Sequence, residues 1–210
     1  MTDLPALIAA FTTLFIIIDP LGLAPLFVAL TDGMTTAQRR SVAIRSCLIG
    51  AMLMLAFLVL GEALLGFIGI SMSAFRIAGG VLLFLTALEM LFQKRQARRE
   101  DSANEGAIEH QDDPSVFPLA MPLIVGPGAI TTIILLAGQA EGVAGFAAVA
   151  AVMLTVLFTV FIAFLVAPLL ERLLGKTGLN ILTRLLGMLL AALAIQFILD
   201  GLLETFGMAA

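Results

Sequence analysis

The seven residues Asp19-Pro20-Leu21-Gly22-Leu23-Ala24-Pro25 place one carboxylate, one glycine and two prolines inside an otherwise apolar run. Proline in a helix interior removes a backbone donor and clashes with the turn before it. Asp followed by Pro is also a helix start, with Asp as the N-cap and Pro at the first helical position. The run therefore predicts two half-helices, the second beginning near Asp19. Gly126-Pro127-Gly128 predicts a matching break, and Pro118 and Pro122 weaken the chain just before it.

A helix start exposes unpaired N–H groups and the positive end of the helix dipole. Such an end suits a carboxylate. Gly126, Pro127 and Gly128 offer bare backbone, with no side chain in the way. Asp19 adds a negative charge suited to an ammonium group or a coupling cation. Together the two breaks could bind a zwitterion. The candidate substrate site is thus Asp19, Pro20 and Gly22 at one break, and Gly126, Pro127, Gly128, Thr131 and Thr132 at the other. Thr12 and Thr13 flank the first break as the other threonine pair flanks the second. The competing reading is structural: proline kinks that serve packing, Asp19 as a cap only, and threonines that satisfy freed backbone. A matched pair of breaks, one with an intramembrane carboxylate, favours the functional reading.

Arg76 and Arg184 sit about one turn into two other apolar runs. They are candidates for a gate or an anion contact. Equally, they suit snorkelling to the interface or capping loose carbonyls. Glu62 and Glu89 lie near run ends and read as interfacial. Gln196 and Asp200 offer only a weak case for an exit path. Cys47 and the ten methionines read as packing.

The elements that must hold these residues follow from composition. Hydrophobic residues are 61% of 210 and charged ones 12%. Soluble domains carry about 25% charged residues, so this surface is not made for water. No basic tail or aromatic-basic interleaving points to nucleic acid. One cysteine, Cys47, and one histidine, His110 in a charged stretch, exclude an internal disulfide and argue against a metal site. Trp and Tyr are absent, so no aromatic belt of the usual kind is expected. No nucleophile–base pair stands in the apolar runs, and the chain is not expected to be an enzyme.

A span needs roughly 20 mostly apolar residues. Six runs qualify: 4–30, 46–70, 71–93, 115–139, 142–170 and 179–203. Met1-Thr2-Asp3 lacks the basic region of a cleavable signal peptide, so the first run is expected to be retained. Residues 94–114, with four basic and six acidic side chains, read as a solvated, flexible linker. The loops after the first, third and fifth spans hold Arg39, Arg40, Lys94, Arg95, Arg98, Arg99, Arg172 and Lys176. The opposite side has only Arg76. That bias puts both termini outside the cytoplasm, in the periplasm of a bacterial cell.

The halves repeat. Ile18-Asp19-Pro20-Leu21-Gly22 matches Val125-Gly126-Pro127-Gly128-Ala129 at an offset of 107. Arg76-Ile77-Ala78-Gly79 matches Arg184-Leu185-Leu186-Gly187 at 108. Each copy holds three spans, an odd number, so the second enters from the opposite side. Secondary transporters share this plan, with the substrate between the repeats near the midplane. The expectation is an all-α polytopic membrane protein of six transmembrane helices, arranged as two inverted three-helix repeats whose first and fourth helices are broken. Its parts are 1–93, the cytoplasmic linker 94–114, and 115–210.

Three stretches carry a family resemblance: Ile18-Asp19-Pro20-Leu21-Gly22, Phe75-Arg76-Ile77-Ala78-Gly79-Gly80, and the run from Pro118 to Thr131. The chain resembles the MarC family, also called UPF0056 or the small neutral amino acid transporter family. The resemblance covers nearly the whole chain, and the fourth-span motif is the most specific part. It implies a six-span inner-membrane protein of the wider LysE-type exporter superfamily. It also implies carriage of glycine- or alanine-type amino acids, coupled to Na+ or H+, with no other cofactor and the lipid bilayer as surroundings. Some relatives were linked by name to multiple antibiotic resistance. Two rival functions stay open: a passive channel or exporter of another small solute or drug, and a non-transporting membrane assembly factor that binds a partner through the linker.

Overall fold

The computed structural model describes residues 3–95, 98–99, 101 and 113–207. His110 and most of the 94–114 linker lie outside the described residues. Eight helical segments follow in order: α1 (Leu4–Ile18), α2 (Pro20–Leu30), α3 (Thr36–Ile68), α4 (Met72–Leu91), α5 (Ser115–Ile124), α6 (Pro127–Gly138), α7 (Gly142–Leu165) and α8 (Ala167–Thr205). No strand occurs among the described residues. α8 is interrupted at Gly175, whose φ of 58° leaves the helical region, and its apolar span is Thr177–Thr205.

Local chemistry explains the ends. Thr35 and Gln38 form a reciprocal capping box at the start of α3. Gly69, at φ 82°, closes α3 in the left-handed conformation that glycine adopts without strain. The Ser71 hydroxyl accepts from the Ala74 N–H at 3.2 Å and opens α4.

Five helical units are long and apolar enough to cross a membrane, and six if α5 and α6 form one span bent by 60°. The fold is all-α, that of a membrane protein with five or six spans and one bent pair. α1 and α2 make the broken first helix, followed by α3 and α4. α5 and α6 make the broken fourth, followed by α7 and α8.

The repeat is visible in packing. α4 and α8, the last helix of each repeat, lie against each other. A Cβ added to Gly80 would lie 2.7 Å from the Ala194 carbonyl, and one added to Gly187 would lie 3.2 Å from the Ala87 carbonyl. Gly187 stands 107 residues after Gly80, and Ala194 stands 107 after Ala87, the spacing of the two breaks and one less than the 108 that matches Arg76 to Arg184. The two contacts are therefore one contact made twice, as a two-fold relation between the halves requires. Small residues let the two backbones approach, the usual basis of helix packing in lipid.

The broken helices occupy the centre. In the run Leu4–Leu30, 67% of the most apolar stretch is buried, against 28% in α3 and 22% in α8. On α6, Ala129 and the stretch from Thr131 to Ala137 are buried. This is expected physically, because backbone freed at a break must be enclosed by protein rather than lipid. α3, α4, α7 and α8 turn exposed side chains such as Val59, Leu85, Phe158 and Leu189 outward, as a lipid-facing surface requires.

Candidate functional site

Asp19 ends one helix and starts the next. It adopts φ 57° and ψ 67°, and its N–H donates to the Phe15 carbonyl at 2.8 Å, closing α1. Its Oδ1 accepts from the Gly22 N–H at 3.0 Å, capping α2, with Pro20 in the first turn. Asn and Asp tolerate this left-handed backbone better than most residues, because their short polar side chains bond locally. Gly22 is required beside it, since a Cβ there would overlap the Asp19 carboxylate.

Asp19 is 1% exposed and does not stand alone. Its Oδ2 accepts from Arg99 Nη1 at 3.1 Å. Arg99 Nη2 donates to the Ile18 carbonyl at 2.9 Å, and Arg95 Nη2 donates to the Ile17 carbonyl. Arg95 Nη1 also lies 2.9 Å from Met90 Sδ. Arg95 and Arg99 are 7% and 6% exposed, although they belong to the stretch expected to be solvated. The carbonyls they serve are among those left without partners where α1 ends. A helix C-terminus is also the negative end of the dipole, which favours cations. Arg98, between them in sequence, turns outward and pairs with Glu89 at 2.7 Å.

The second break is built differently. Phe117 and Met121 are extended, with ψ of 126°, and each precedes a proline that disfavours helical backbone. The chain recovers at Gly126, the N-cap of α6, with Pro127 in the first turn and no side-chain cap. The first-turn N–H groups of α6 thus keep their anion-binding character. The two breaks adjoin: a Cβ on Gly128 would meet Ile17 Cγ2 at 3.2 Å.

A cavity of about 250 Å³ opens between them. Gly126, Pro127 and Gly128 form one wall, and Arg95, Arg98 and Arg99 another. Ile17, Leu123, Ile124 and Ala129 supply apolar surface. The first wall consists of residues expected from the sequence to bind substrate; the arginines of the second are not among them. Asp19 does not line the cavity but touches a residue that does, Arg99. Pro20 and Gly22 are buried in the first turn of α2, away from it. Thr131 and Thr132 are buried deeper along α6 and do not line it either. Thr131 packs its methyl toward Gly79, and Thr132 Oγ1 has no hydrogen-bond partner. Thr13 donates to the Ala9 carbonyl at 2.8 Å.

Arg76 and Arg184 stay apart from the cavity. Arg76 pairs with Glu204 at 3.0 Å, linking α4 to the end of α8. Arg184 is exposed on α8. Among the described residues, no group of three or more His, Cys, Asp or Glu side chains is placed to hold a metal ion.

A family model described as MarC family integral membrane protein matches residues 4–206. The chain belongs to the MarC family. Its MarC relatives include a UPF0056 membrane protein of Archaeoglobus fulgidus, 38% identical over 93% of this chain and 92% of that one. The UPF0056 inner membrane protein YhgN of Escherichia coli K12 is 35% identical over 93% of this chain and 95% of its own length. A UPF0056 membrane protein of Aquifex aeolicus is 34% identical over 93% and 91%. No solved structure matches the chain. These names place this MarC chain among integral membrane proteins and go no further.

One signal for the missed arginines was present. Arg95 and Arg99 are four residues apart, a spacing that would put them on one face of a helix, although α4 itself ends before them, at Leu91, with Gln93 at φ 60°. A carboxylate buried at a break also demands a counter-charge from somewhere.

Proposed function

We propose that this MarC protein is a secondary transporter of small neutral amino acids, of the glycine or alanine type, driven by a proton or sodium gradient. The membrane would be the inner membrane of a bacterial cell, with both termini periplasmic as the Lys and Arg bias directs. The observation that carries the reading is the meeting of two helix breaks at one small cavity between inverted repeats. Small-molecule sites commonly occupy about 300–1,000 Å³. A space of 250 Å³ accordingly favours a small solute.

The α6 start takes the carboxylate, through the first-turn N–H groups at Gly128 and Ala129. Arg95 and Arg98 strengthen that end. Asp19 takes the amino group or the coupling ion, which requires Arg99 to leave it. Exchange of Arg99 for a substrate cation would then accompany movement of one repeat against the other, as alternating access demands.

The test is uptake into proteoliposomes under an imposed ion gradient. Asp19→Asn abolishes accumulation; uptake at the parental rate would remove Asp19 from the mechanism. Asn leaves Arg99 without its carboxylate, so the pair Asp19→Asn with Arg99→Gln is measured beside it. Flux without accumulation indicates a passive channel. No flux for any amino acid indicates another solute or a non-transporting role.

A further inference from the structure

Among the described residues, charge counting at the cavity leaves one cation over. Arg98 is balanced by Glu89 and Arg99 by Asp19. Arg95 lines the cavity and is buried, yet among the described residues no carboxylate pairs with it. Its partners are the Ile17 carbonyl and the Met90 sulfur, both neutral. A buried charge without a counter-charge is unfavourable. The opposite wall is the start of α6, which adds positive potential rather than cancelling it.

We propose that the cavity, in the state with Arg99 on Asp19, holds a small carboxylate anion that carries no ammonium group, with Arg95 as its counter-charge. The inference rests on the reading of this cavity as the transport site and deepens it. A monocarboxylate supplies the negative charge that the described residues do not. A zwitterion supplies none, and its ammonium would face guanidinium groups, because Asp19 is already taken. Ile17, Leu123, Ile124 and Ala129 give a short carbon chain an apolar wall. An inorganic oxyanion would leave that wall unmatched. The ligand class is therefore the short monocarboxylates, 2-oxo and 2-hydroxy acids included. Amino acids compete only once Arg99 has left Asp19.

The experiment uses the full chain purified in detergent and measures apparent melting temperature, which a ligand of the native state raises. Potassium propionate, potassium phosphate and alanine are titrated at constant ionic strength. Propionate is expected to stabilise at concentrations about tenfold or more below alanine, the worth of one charge-assisted contact. Phosphate is expected to do no more than chloride. Equal effects of alanine and propionate overturn the net-anion claim. Equal effects of phosphate and propionate overturn the carboxylate class, and no propionate shift overturns the site. Arg95→Gln is expected to lose the propionate effect; an effect retained in that variant overturns the role of Arg95. If Arg95→Gln does not fold, the parental series decides alone. Alanine uptake without propionate binding overturns this inference and leaves the transport reading standing. Propionate binding without any uptake supports the anion site and counts against transport.

Discussion

Arg99 donates to Asp19 across 80 residues of chain, at 3.1 Å, with both side chains buried. The contact ties the stretch after α4 to the break in the first helix. It also neutralises the carboxylate that the break brings into the protein. A buried pair of this kind is a weak source of net stability, but breaking it from one side is costly.

Arg99→Gln should therefore destabilise the protein by about 3–5 kcal/mol, because Asp19 is left charged and unpaired. Adding Asp19→Asn should recover a large part of that loss. Thermal unfolding of the two single variants and the double variant checks this. Additive losses would mean that the two groups do not act as a pair.

The start of α2 is legible in the sequence because every residue that makes it is local. Asp19 caps, Pro20 opens the first turn and Gly22 leaves room for the carboxylate. Gly126 and Pro127 announce the start of α6 in the same way. Arg95 and Arg99 were not legible as site residues. They stand in a stretch with four basic and six acidic side chains, which reads as solvated, and besides Asp19 and Met90 their partners are backbone carbonyls far away in sequence. A carbonyl leaves no mark in a sequence. The cavity was anticipated on its glycine wall and not on its arginine wall for that reason.

Gly22→Ala should push the Asp19 carboxylate out of its cap. Loss of an N-cap costs about 1 kcal/mol, and the displaced carboxylate also loses its contact with Arg99. The variant should melt lower than the parent. Trypsin should cleave at Arg99 more readily, since that residue loses its buried partner. Unchanged melting and cleavage would show that the Asp19 geometry tolerates a neighbouring methyl group.

The α4–α8 contact makes a symmetric prediction. Gly80→Ala and Gly187→Ala each force the two helices apart and should cost about 1–3 kcal/mol by overpacking. Gly66 on α3 has nothing within 4 Å of a would-be Cβ. Gly66→Ala should therefore stabilise by up to about 1 kcal/mol through helix propensity. Melting temperatures of the three variants should separate in sign.

The two breaks are proposed to enclose a transport site. Gly128 tests it, because it lines the cavity and faces Ile17 across the junction of the breaks. The measurement is uptake of labelled alanine into proteoliposomes under an imposed proton or sodium gradient, for the parent and for Gly128→Val. The parent is expected to accumulate alanine, and a variant that still purifies as a folded protein is expected to lose that accumulation. Parental uptake no greater than that of empty liposomes, or parental-rate uptake by Gly128→Val, would contradict it.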